Sequence, residues 1–174
     1  MTTANKLTLV RIALIPVFLG VLYAGFPGSR YVALAVFIIA SLTDTLDGYI
    51  ARHYNQITNF GKFMDPLADK VLVMSAMCWY VEEGKMPGWV LAIVLLREFA
   101  VSGMRMVAVE QGKVIAAAWS GKVKTACTMV CLCLMMVPIP GWLNTVCIII
   151  ILATTIYSGI EYFYKNREVF KNAY

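Results

Sequence analysis

The chain has 174 residues, 60% of them hydrophobic and 14% charged, with a formal net charge of +5 and a mean hydropathy of +0.73. That balance is too apolar for a soluble globular domain, so the expected surroundings are membrane lipids, with no nucleic acid among the partners.

Six apolar stretches, at about 7–24, 31–51, 63–81, 88–109, 116–137 and 142–164, each approach the ~20 residues needed to cross a hydrocarbon core. The first follows Lys6 and contains Arg11; without a small-x-small cleavage site it is kept as a membrane helix rather than a signal peptide. Gly25 to Ser29, Glu82 to Gly88 and Pro138 to Gly141 supply turn residues and leave little room for a soluble domain. The second stretch carries Asp44 and Asp47, the third Asp65 and Asp69, the fourth Arg97 and Arg105, the fifth Lys122 and Lys124, and the sixth Glu161. Five cysteines lie inside these stretches without histidine partners, and the lone His53 is read as an interfacial residue. Of 15 Lys and Arg residues, only Arg30 and Lys85 fall on the side of the first, third and fifth connections. The positive-inside rule then places both termini in the cytosol. The expected fold is an all-α integral membrane protein: a single domain, 1–174, built as a six-transmembrane-helix bundle.

All four aspartates of the chain fall between positions 44 and 69. A carboxylate within a membrane helix is costly and normally faces the bundle interior to perform a function. Asp44, Asp47, Gly48 and Ala51 share one helix face by their i, i+3, i+4, i+7 spacing, and Gly61, Asp65 and Asp69 share another by i, i+4, i+8. A loop from about Arg52 to Asn59 turns the chain so that the two faces can meet. Four clustered carboxylates repel one another unless cations neutralise them. Oxygen-only ligands suit Mg²⁺ or Mn²⁺, ions that also bind substrate phosphates. The plainer reading, ion pairs with Arg52, Lys62 and Lys70 beside small packing residues, accounts for one carboxylate better than for four on two convergent faces.

The pattern Asp44-x-x-Asp47-Gly48-x-x-Ala51-Arg52, eight residues, then Gly61-x-x-x-Asp65-x-x-x-Asp69 resembles the signature of the CDP-alcohol phosphotransferases. The resemblance implies a six-helix, usually homodimeric membrane enzyme that joins an alcohol to the phosphate of a CDP-linked donor and releases CMP. It implies Asp44, Asp47 and Asp65 as principal ligands of two Mg²⁺ or Mn²⁺ ions, and Asp69 as both a metal-site residue and the catalytic base. Gly48, Ala51 and Arg52 would receive the cytidine nucleotide, with Gly61 lining it and Thr8 and Arg11 contacting the donor; anchoring at the basic membrane face explains Arg11 as well. Asn5-x-Leu7-Thr8-x-x-Arg11, Arg97-Glu98-Phe99-Ala100-Val101-Ser102-Gly103-x-Arg105 and Gly121-Lys122-Val123-Lys124-Thr125 point, within the family, to members that use CDP-diacylglycerol as donor and sn-glycerol 3-phosphate as acceptor. Such an enzyme belongs in the bacterial inner membrane with its active site facing the cytosol.

The basic residues support a phosphorylated acceptor separately. Arg97 and Arg105 are i, i+8 on one helix, with Arg97 roughly 12 Å further inward. Glu98 or an aspartate would answer one arginine, but two arginines with Lys122 and Lys124 suit an acceptor phosphate, with Lys122 favoured over Lys124. The alternative is a structural ion pair for Arg97 and snorkelling for Arg105, Lys122 and Lys124. Glu161 reads as a buried acid or as the partner of a nearby base. Another acceptor, such as inositol phosphate, is the runner-up within the family. A cation transporter is the rival from another class, but transporter sites lie near the midplane, whereas these carboxylates crowd one end of their helices.

Overall fold

The computed structural model describes residues 3–53, 59–112, 115–116 and 118–168; the side chains of residues 3–5, 44–53, 59–63 and 66 lie outside the description. Among the described residues there are six helices and no strand: α1 (Thr3–Ala24), α2 (Ser29–His53), α3 (Asn59–Glu82), α4 (Gly88–Glu110), α5 (Trp119–Met136) and α6 (Gly141–Lys165). Each covers one of the six apolar stretches. α3 starts earlier than its apolar stretch and includes Gly61, in keeping with the helical spacing of Gly61, Asp65 and Asp69.

Among the described residues, two helices are long and apolar enough to cross a membrane, over Lys6–Ala24 and Gly141–Lys165, and α2 has a shorter apolar run, Ser29–Thr43. α4 carries Arg97, Glu98 and Arg105 and α5 carries Lys122 and Lys124, charges that lower the hydropathy of these two helices. Outward-facing side chains are nonetheless strongly apolar: Leu96 and Phe99 are each 72% exposed and Trp119 is 76% exposed. A surface of that kind suits lipid rather than water.

The chain divides into two compact units, Met1–Trp79 with Met136–Pro138, and Tyr80–Met135 with Ile139–Tyr174. In the first, α1 buries Thr8, Arg11, Ile15, Phe18 and Leu22, a continuous stripe at three- and four-residue spacing. It meets the α2 stripe Ala33, Phe37 and Ala40, where the small alanines allow close approach and the Phe18 and Phe37 rings lie 5.7 Å apart. The register 33, 37, 40 continues through positions 44, 47 and 51 of α2. On α3, Ala68, Leu72, Ala76 and Trp79 are buried, and Arg30 lies over the Trp79 ring at 5.5 Å.

In the second unit, α4 buries Val90, Val94, Val101, Met104 and Ala108, and α6 buries Cys147, Ile151, Thr155, Ser158, Gly159 and Tyr162. Val101, Met104, Ala108 and Tyr162 form one cluster. α3 ends in a tight reversal: Gly84 takes φ +67°, a left-handed conformation that costs glycine little, and the Lys85 N–H donates to the Tyr80 carbonyl at 2.9 Å. Asn144 of α6 donates to the Lys85 carbonyl at 2.8 Å, fastening this turn. The buried Tyr80 hydroxyl donates to the Leu132 carbonyl on α5 at 2.8 Å. Replacing it, Tyr80→Phe, is expected to lower stability by about 1 kcal/mol, measured as a reduced unfolding midpoint in detergent; an unchanged midpoint would show that this bond contributes nothing net.

Candidate active site

The acidic residues divide into those on α2 and those on α3. Asp65 and Asp69 stand one turn apart on α3, both partly buried. The Thr8 hydroxyl donates to Asp65 Oδ1 at 2.6 Å, and Thr8 is only 1% exposed. A short bond from a neutral hydroxyl to a carboxylate is among the stronger side-chain contacts and restricts how that carboxylate can turn. Thr8 reaches it because it occupies the buried stripe of α1, one turn before Arg11.

Arg11 is completely buried. Its Nε donates to Thr43 Oγ1 at the long distance of 3.5 Å, while the Thr43 hydroxyl donates back to the Ala40 carbonyl at 2.6 Å. A sequestered guanidinium is not an interfacial anchor, since anchoring depends on the charged head reaching water. Asp44, Asp47, Gly48, Ala51 and Arg52 occupy α2 and Gly61 occupies α3, but their side chains lie outside the described residues. Among the described residues no group of three acidic, histidine or cysteine side chains is placed to hold a metal, and Asp44 and Asp47 are not part of that count.

The basic residues expected to meet the acceptor, Arg97, Arg105, Lys122 and Lys124, all belong to the second unit. Arg97 donates through Nη1 to Glu98 Oε1 at 2.9 Å, and Lys124 donates to the same oxygen at 2.8 Å. The three side chains are 12%, 13% and 5% exposed, for Arg97, Glu98 and Lys124 in that order. Arg97 occupies the gap between Val94 and Val101 in the buried stripe of α4. Lys124 lies within the buried series Ser120, Lys124, Thr128, Cys131 and Met135 of α5, whereas Lys122 is exposed. α5 thus turns position 124 inward and leaves position 122 on its outer side. Snorkelling does not describe Lys124, whose ammonium pairs in the interior.

Arg105 is exposed overall, yet its Nε donates to the buried Tyr162 hydroxyl at 2.9 Å and its guanidinium lies 5.5 Å from the Tyr162 ring centre. Glu161 forms an ion pair with the exposed Lys165 one turn on, in keeping with the partner reading rather than that of a buried acid. Sequence reasoning passed over Gly159 and Tyr162. Both fall on the α6 register 147, 151, 155, 158, 162 or beside it, and that periodicity was the available signal.

Residues 1–157 match the CDP-alcohol phosphatidyltransferase family. The chain is 40% identical to a CDP-diacylglycerol--glycerol-3-phosphate 3-phosphatidyltransferase of Bacillus subtilis, an alignment that covers 97% of each chain. Proteins of the same name from Salmonella typhimurium and Escherichia coli K12 are 45% and 44% identical, each over 72% of this chain and 71% of theirs. A match running through both units, with one relative aligned over nearly the whole of each chain, leaves one conclusion: the chain is an enzyme and belongs to the CDP-alcohol phosphatidyltransferase family.

Proposed function

We propose that the enzyme transfers the phosphatidyl group of CDP-diacylglycerol to sn-glycerol 3-phosphate, giving phosphatidylglycerophosphate and CMP. The names of the relatives support the donor and the reaction. The same names support the acceptor, and one observation of this chain adds to them: Arg97, largely covered, and the buried Lys124 share the Glu98 carboxylate, so among the described side chains these three carry one positive charge beyond neutrality. An acceptor phosphate supplies the missing anion, and an uncharged alcohol does not. Arg105, aimed by Tyr162, and the exposed Lys122 complete this set.

Enzymes of the family generally use divalent metal ions. Asp65 and Asp69 fit such an ion: they are oxygen donors one turn apart, and Thr8 restrains the first. Asp44, Asp47, Asp65 and Asp69 would together hold Mg²⁺ or Mn²⁺, two ions to a site. The chemistry supplied by bound metal is neutralisation of the donor diphosphate and stabilisation of the departing CMP. Asp69 accepts the proton of the acceptor hydroxyl as that oxygen attacks the lipid-linked phosphorus in line. Thr8 serves the donor site by orienting Asp65, with Arg11 held beneath it in the same stripe, while Gly48, Ala51, Arg52 and Gly61 receive the nucleotide. All six helices cross the bacterial inner membrane as one domain, with termini and active site on the cytosolic side, and the enzyme works as a homodimer.

Purified enzyme offered CDP-diacylglycerol and a panel of glycerol 3-phosphate, inositol phosphate and glycerol is expected to release CMP with the first, and to lose that activity on chelation of divalent ions. Release with inositol phosphate instead would reassign the acceptor. Asp69→Asn should abolish turnover and leave CDP-lipid binding measurable; full activity would remove Asp69 as the base. Thr8→Val, which keeps the shape and deletes the hydroxyl, should raise the metal concentration for half-maximal turnover about tenfold, read by Mn²⁺ titration. Arg105→Ala should increase the KM for glycerol 3-phosphate far more than that for CDP-diacylglycerol, and equal increases would count against its acceptor role.

A further inference from the structure

Arg97 and Lys124 are drawn into the second unit by the register of their helices. Like charges in a water-poor interior repel, so something must hold them together. Glu98 does so with one atom: Oε1 receives Nη1 of Arg97 at 2.9 Å and Nζ of Lys124 at 2.8 Å. Being next to Arg97 on α4, Glu98 reaches across to α5 while the arginine remains in the buried stripe.

Two further observations separate this cluster from an ordinary structural ion pair. Among the described residues, the Nε of Arg97 is fully buried and has no hydrogen-bond partner. A purely structural triad would close its donors, because a buried charged donor left open is costly. The Arg97 side chain also packs against two glycines, tightly only at Gly159. A Cβ added at Gly159 would lie 3.3 Å from Arg97 Cγ, and one added at Gly121 would lie 3.6 Å from Arg97 Nη2. α6 thus leaves room at Gly159 for the arginine stem, whereas at Gly121 a Cβ would make an ordinary contact.

We propose that Glu98 is the positioning residue of a phosphate-monoester pocket: it clamps Arg97 and Lys124 side by side, and Gly159 gives Arg97 the space to offer its open Nε–H to a phosphate oxygen. This rests on the reading that Arg97 and Lys124 receive the acceptor phosphate. Glu98 itself does not touch the acceptor; its charge keeps two cations in place and leaves the pocket with a single positive excess.

The test is steady-state kinetics of the purified, lipid-reconstituted enzyme with CDP-diacylglycerol and glycerol 3-phosphate. Glu98→Gln preserves size and removes the charge, and should raise the acceptor KM about tenfold or more, the usual scale for a lost charged hydrogen bond. Donor KM and kcat should stay close to wild type, a split that general unfolding would not produce. The rise should be less than additive with that of Lys124→Met, since the lysine is already unclamped. Gly159→Ala, favourable for a helix in itself, should also raise the acceptor KM by crowding Arg97, and it decides the matter if Glu98→Gln fails to fold. Wild-type acceptor KM in Glu98→Gln, or in Gly159→Ala where that variant decides, overturns the proposal. If Arg97→Ala and Lys124→Ala meanwhile raise it, the acceptor reading stands without Glu98; if they leave it unchanged, that reading falls as well.

Discussion

Charge withdrawn from water must be met by opposite charge or by hydrogen bonds, and the interior of this protein is organised by that requirement. One oxygen of Glu98 answers two cations that would otherwise be driven apart or out to the surface. The rest of the second unit is arranged to permit it. α4 interrupts a row of valines to admit Arg97, α5 turns Lys124 inward among small and polar residues, and α6 withholds a side chain at Gly159. Apolar packing around Tyr162, Met104 and Ala108 then secures the helices that carry the charges.

The first unit meets the same demand with different means. α1 keeps one stripe from Leu22 to Thr8, but its chemistry changes along the way, from Phe18 and Ile15 to Arg11 and a hydroxyl. Packing at the apolar end sets the depth and rotation of the helix, and those determine that Thr8 arrives at hydrogen-bond distance from Asp65. A local contact near the candidate chemistry is therefore inherited from aromatic packing two turns and more away.

Much of this was legible before any coordinates. The helices fall on the six apolar stretches because proline and glycine mark the breaks: Pro87 and Pro140 stand at the N-caps of α4 and α6, and Gly84 closes α3. The aspartate spacing located the acidic residues, and the signature they form agrees with the family match over residues 1–157. The different burial of Lys122 and Lys124 was not legible from depth and charge alone. It depended on the register of α5, visible only when Ser120, Thr128, Cys131 and Met135 are recognised as its inner face. Gly159 was hidden for another reason: a glycine reports its purpose through what lies opposite, and Arg97 is more than sixty residues earlier in the chain. The Thr8 to Asp65 bond spans 57 residues and was likewise beyond local pattern.

The outward row of Leu96, Phe99, Met106 and Ile160 has a kinetic meaning. A protein clothed in such side chains is dissolved in the same thin fluid as a lipid-linked donor, so enzyme and donor search for each other in two dimensions. On the function proposed above, the donor's availability is a mole fraction among neighbouring lipids, whereas the acceptor is counted per litre of cytosol. Diluting the membrane with inert lipid would then starve the reaction of one substrate while leaving the supply of the other untouched.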